Sequence, residues 1–274
     1  MAGMADVDEY TLSAGSQVVT LEGSASINVV ADNYASGVLQ TGAILNPGIA
    51  ASAVEQRVTL SGGEGSSVDL SVTGDVANGI TQSASLAPGK VSIASGGEES
   101  YGATEQLIEL DNANLQINGS GYSAAISQSA VNSGLDVTQT VTLGASDEVS
   151  VNVYSNYGAA GVSVSNVSAG GGEYGGSGSV SQTVSLNSTD LMVDSDYGLA
   201  VGVQASNQGL GDSDQVIGLT NADLQVGGES ARGIFVDSDS DVIGGESAVL
   251  NQRVTLADDV QVDVDASYGS AVGI

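Results

Sequence analysis

Carboxylates are the side chains in this sequence best placed to do chemistry. Thirty-three Asp and Glu stand against four basic residues, Arg57, Lys90, Arg232 and Arg253, and there is no histidine and no cysteine. Without imidazole the usual general base and the commonest metal ligand are gone. Without thiols there is no cysteine nucleophile, no zinc-thiolate site and no disulfide. What remains is a carboxylate pair for glycoside hydrolysis, or oxygen ligands for a hard cation. Asp194 with Asp196, and Asp239 with Asp241, are such pairs, but both lie in acidic turns where solvated carboxylates normally sit. A lyase would need a Lys or Arg base in a cleft, and the four basic residues are scattered. The expectation is no enzyme and no catalytic residue. The stretch "DSDSD" (237–241) alternates Asp237, Asp239 and Asp241, and Asp258 with Asp259 form another pair. Calcium is the ion these would take. The EF-hand spacing and the GGxGxDxUx pattern are both absent. The expected cofactor list is therefore empty, with calcium at Asp237, Asp239 and Asp241 as the alternative to loose screening by divalent ions.

The net charge of −29 excludes nucleic acid, whose binding needs Lys and Arg at phosphates, and an anionic membrane surface. No apolar run approaches the roughly 20 residues of a membrane helix, so no membrane insertion is expected. The opening "MAGMADVDEY" has neither a basic nor an apolar export region. The chain is then intracellular, or a mature or recombinant form whose signal was removed; the repeats favour the second. With 39 Gly, two Pro, one Phe and no Trp, the core must be Val, Ile, Leu and Ala. Disorder is the alternative for an acidic Gly/Ser-rich chain. A regular alternation of β-branched residues opposes it.

That alternation belongs to a repeat. The pattern Q-x-[V/I/A]-x-L begins at Gln17, Gln56, Gln82, Gln106, Gln139, Gln182, Gln215 and Gln252, at unequal spacing. A short apolar-x-apolar element follows each copy, such as "INV" (27–29), "VSI" (91–93), "LQI" (115–117) and "VQVDV" (260–264). A third element leads from an aromatic or small residue into an aliphatic, as in "YASGV" (34–38), "YSAAI" (122–126) and "YGSAVGI" (268–274). Each unit is thus three short strands joined by Gly, Ser, Asn and Asp turns. Period-two alternation puts Gln, the middle aliphatic and Leu on one face. Equivalent inward residues in every unit, with freely varying loops, are what a stacked solenoid requires. The spacing predicts an all-β fold, a parallel β-solenoid of about eight coils with variable Gly/Ser-rich loops, over residues 17–274. Residues 1–16 are expected to be a lead segment or capping strand.

An inward Gln column predicts an amide ladder, each carboxamide donating to one neighbour and accepting from the other. A half-solvated corner is the alternative, and neither makes Gln catalytic. Tyr34, Tyr101, Tyr122, Tyr157, Tyr197 and Tyr268 form a second column at a turn. Core or corner packing is its expected role; an aromatic strip can also stack on sugars.

"YSAAISQSAVNSGLDVTQ" (122–139) resembles curli-type repeats, in which A-x-x-x-Q precedes N-S-x-L-x-V-x-Q, and the pairs Gln128/Gln139 and Gln204/Gln215 keep the eleven-residue interval of that pattern. "VDLSVTGDVANGI" (68–80) and "VQVDVDASYGSAVGI" (260–274) resemble the β-helices of autotransporter passenger domains. Both resemblances imply an exported bacterial β-solenoid with adhesive or scaffold duties. The curli-type likeness implies subunits that polymerise into biofilm fibres.

A solenoid ends in unpaired backbone groups, a template for another chain. The last motif, "YGSAVGI", reads as a core strand, and no cap is evident at either end, so head-to-tail stacking is expected. The expected function is an extracellular structural protein of a fibre, biofilm or cell-surface matrix, with itself as partner. The alternative is a monomeric adhesin or passenger segment that takes a polysaccharide or other surface ligand through loops such as 165–181.

Overall fold

The computed structural model describes residues 15–44, 54–63, 65–86, 103–132, 136–168, 178–208, 211–239 and 249–274. The first coil is β1 (Gly15–Glu22), β2 (Ala25–Val30) and β3 (Tyr34–Ile44). The second is β4 (Val54–Ser61), β5 (Val68–Gly74) and β6 (Val76–Leu86), and the third β7 (Ala103–Asp111), β8 (Ala113–Gly119) and β9 (Tyr122–Asn132). The fourth is β10 (Asp136–Leu143), β11 (Val149–Ser155) and β12 (Gly158–Ser168). In the fifth, β13 (Val180–Asn187) is followed by β14 (Thr189–Gln208), and in the sixth β15 (Ser213–Thr220) by β16 (Asp223–Asp239). The seventh is β17 (Leu250–Ala257), β18 (Gln261–Ala266) and β19 (Ala271–Val272).

Every strand pairs in parallel with its counterpart in the adjacent coil. The first strands make a seven-stranded sheet in the order β1-β4-β7-β10-β13-β15-β17. The second and third strands form two further faces, and β14 and β16 run round the bend between them, joining both into one 12-stranded sheet. The register shift between Ser195 and Leu199 marks that bend. Motif sits on motif: Gln17 on Gln56, Val19 on Val58, Leu21 on Leu60, and so through to Gln252 and Leu256. At about 4.8 Å per coil the seven described coils span about 34 Å.

The core is a set of aliphatic columns. Val58, Ile108, Val141, Val184 and Ile217 fill it from the first face, and Leu70, Leu115, Val151, Leu191 and Leu224 from the second. Ile80, Ile126, Val162, Val203 and Ile234 close it from the third. Burial of each such side chain contributes about 1.5–3 kcal/mol.

Among the described residues the coils number seven rather than eight, and the reason lies in Gln82. Its pentad is part of β6 on the third face, in register with Gln40 of β3 and Gln128 of β9. The pentad matches locally because alternation alone does not say which face a strand joins. The "VSI" element at 91–93, Tyr101, residues 1–14 of the lead segment, and 169–177 of the 165–181 loop lie outside the described residues. β1 itself begins at Gly15, two residues before the first motif glutamine.

The turn from first to second face is tight, and its chemistry is readable. In five coils the second residue after the motif leucine has positive φ: Gly23 (72°), Asn112 (48°), Ser188 (44°), Asn221 (48°) and Asp258 (59°). Glycine, Asn and Asp tolerate this left-handed conformation; branched side chains do not. Asn221→Val is expected to lower stability by about 1–2 kcal/mol in a urea titration, and Ser188→Gly to be neutral or stabilising.

Candidate functional site: amide ladders and a tyrosine edge

Seven of the motif glutamines form one ladder through the rod. Gln56 Nε2 donates to Gln17 Oε1 at 2.9 Å, Gln106 to Gln56 and Gln139 to Gln106 at 2.8 Å. Gln182 continues to Gln139 at 2.8 Å, Gln215 to Gln182 at 2.7 Å and Gln252 to Gln215 at 2.9 Å. Donation always runs toward the earlier coil. The second N–H of each amide crosses to a backbone carbonyl on the third face: Thr41, Ser83, Ser129, Ser165, Ser206 and Asp237 for the first six glutamines. A buried primary amide is costly unless its donors and acceptor are matched, and here the inner five have no exposed surface and full partners.

A second, shorter ladder answers from the opposite side. Gln82 Nε2 donates to Gln40 Oε1 and Gln128 Nε2 to Gln82 Oε1, both at 2.8 Å. Their other N–H groups reach back to the first face, to the carbonyls of Leu107 and Thr140. The two ladders therefore staple the third face to the first along the corner where the chain passes from coil to coil. Most of the length variation falls at this corner, for example at 133–135 and 87–102. The staples hold the flanking strands together, whatever the intervening length. Gln204, by contrast, lies in register with Ser163 and Phe235, outside both ladders.

The second ladder stops after the third coil because Val164 follows Gln128 in its column. Two residues on, Asn166 Nδ2 donates to Asn207 Oδ1 at 2.8 Å. Gln128 Oε1 and Asn166 Oδ1 are left buried without a partner at this join. Gln40 and Gln128 were not among the motif glutamines; their signal is a Gln two residues after the aliphatic of the third element, as in "VLQ", "ITQ" and "ISQ".

Among the described residues the carboxylates do not gather into one cluster. Asp237 and Asp239 are exposed on β16, and Asp241 lies outside the described residues. Among the described residues no three acidic groups stand close enough to hold a metal ion. Asp194 and Asp196 are exposed, and Asp196 accepts a hydrogen bond from Tyr154 Oη at 2.6 Å. That bond, with nearby carboxylates, holds the Tyr154 phenol above its ordinary value. Glu55 faces Glu105 across one coil junction, and Asp190 faces Asp223 across another. Arg57 and Arg253 occupy the same motif position, directly after Gln56 and Gln252.

Every tyrosine among the described residues lies along one edge, the bend between second and third faces. Tyr34 and Tyr122 open β3 and β9, Tyr154 lies near the end of β11, and Tyr157, Tyr197 and Tyr268 stand at the bend itself. They occupy a corner as expected but are not packed into it: exposure runs from 39% for Tyr154 to 90% for Tyr268. The rings of Tyr157 and Tyr197 lie 6.2 Å apart, tilted by 38°.

No protein-family model, no curated protein and no solved structure matches the chain. What stands is the fold: all-parallel β-structure with stacked glutamine ladders, as in a β-solenoid.

Proposed function

We propose that this chain is an extracellular structural protein, a solenoid subunit that stacks end to end into a fibre of a biofilm or cell-surface matrix. The observation that carries the reading is the polarity of the long ladder. Because each glutamine donates to the earlier coil, the ladder is polar: Gln17 of the first described coil keeps an N–H, and Gln252 of the seventh its Oε1, that meets no further amide among the described residues. A second copy placed coil one on coil seven joins donor to acceptor. The same placement sets Val19 on Val254, Leu21 on Leu256 and Ile27 on Val262, as apolar columns demand. Leu256, 45% exposed, is buried by it. The curli-type resemblance of 122–139 supports the same reading.

The acidic exterior opposes such stacking, and salt screens like charges. Purified chain viewed by negative-stain microscopy is expected to form rods that lengthen with time. Added salt, calcium or mild acid should each speed the growth. Discrete particles about 34 Å long under all conditions would instead support a monomeric adhesin. Growth indifferent to all three additions would remove the electrostatic part.

A further inference from the structure

Nine tyrosines occur in the sequence, and the six that fall among the described residues share a single edge. Exposed rings spaced along this edge, with Tyr157 and Tyr197 paired, make a stacking surface for an extended ligand, not for a compact one. Small neighbours keep the rings open. Glycine follows Tyr157, Tyr197 and Tyr268, and a Cβ at Gly158 would press to 3.4 Å of the Tyr122 ring.

Carboxylates complete the edge. The two coils without a tyrosine at the bend place Asp75 and Glu229 there instead, both exposed. Asp32 stands two residues before Tyr34, Asp265 three before Tyr268, and Asp196 receives the Tyr154 hydroxyl. Aromatic faces attract cations through their quadrupole, and flanking carboxylates add to that attraction. The occupant must therefore carry positive charge at intervals. It must also meet side chains only, because the backbone at the bend is already spent between coils: Tyr157 N bonds Gly121 O, Tyr197 N bonds Asn156 O and Tyr268 N bonds Glu229 O. A peptide strand would find no unpaired backbone row there. A sugar chain needs none, since its rings stack on aromatics while hydroxyls and amines bond carboxylates.

We propose that this tyrosine edge binds a linear polysaccharide bearing free amino groups, laid along the rod. A single subunit presents the edge as well as a fibre does, so the proposal does not depend on stacking. The test uses chitosan oligosaccharides with the full chain, by calorimetry, in mildly acidic buffer that keeps the amines charged. Fully N-acetylated oligomers of equal length and poly-lysine are the comparison ligands. Chitosan is expected to bind at least about tenfold more tightly than the acetylated oligomer. The double variant Tyr157→Ala/Tyr197→Ala is expected to lose about tenfold or more in chitosan affinity, with an unchanged melting temperature. Tyr157→Phe/Tyr197→Phe should keep most of it. No chitosan binding, equal binding of the acetylated oligomer, or an affinity untouched by the alanine pair would overturn the proposal. So would poly-lysine binding as tightly as chitosan, which would reduce the edge to its charge.

Discussion

Replacing Gln139 by alanine is expected to destabilise the solenoid by about 3–5 kcal/mol, measured by denaturant unfolding. Gln139 sits in the central coil with no exposed surface. It donates to Gln106 Oε1 and to the Ser165 carbonyl, and accepts from Gln182 Nε2. Alanine leaves those groups buried and unsatisfied and opens a cavity as well. Each stranded polar group costs about 1–3 kcal/mol. Gln252→Ala is the matched control: that residue is exposed and makes one ladder bond, so its loss should cost about 1 kcal/mol or less. Gln139→Glu sharpens the test. Burial raises the folded pKa of a carboxyl above its unfolded value near 4.3, so the protonated form is favoured in the fold. The deficit of this variant, relative to wild type at the same pH, should be least below that value and grow as pH rises. Equal costs for Gln139→Ala and Gln252→Ala would show that the ladder carries no stability.

Gly202→Val should be comparably severe, at about 3 kcal/mol or more. Gly202 belongs to a column on the third face: Gly37, Gly79, Ala125, Gly161, Gly202, Gly233 and Gly273, the first six each preceding a buried aliphatic. A Cβ at Gly202 would stand 2.6 Å from the Gly233 carbonyl oxygen, 2.7 Å from Leu224 Cδ1 and 2.9 Å from Val226 Cγ2. The carbonyl belongs to the next coil and cannot move without opening the inter-coil hydrogen bonds. Gly161 and Gly233 repeat the arrangement, each with the following coil's carbonyl at 2.6 Å. The requirement is steric approach, not an unusual φ. Ala125, buried at the same position of the third coil, shows that one methyl is accommodated there. Ala125→Gly should therefore cost about 1 kcal/mol or less, and Gly202→Ala should fall between. A wild-type melting profile for Gly202→Val would mean that the coils are not packed this closely.

The strands, the inward columns and a ladder of eight glutamines were legible in the sequence, and seven of those eight stack in the long ladder. Each rests on a local rule: a period of two places Gln, aliphatic and Leu on one side, and an inward amide repeated in every coil meets its twin. The sharp corners at Asn112, Asn221 and Asp258 are local too, since side-chain chemistry sets which residues accept positive φ. Tertiary structure alone decided which face Gln82 joins. Its partners Gln40 and Gln128 lie 42 and 46 residues away, and alternation is identical on all three faces. The count of coils followed from that assignment, as did the second ladder. The outward turn of the tyrosines was likewise not local. Tyr157 and Tyr197 sit where the chain bends between faces, and only the bend's geometry fixes whether a ring there meets core or solvent.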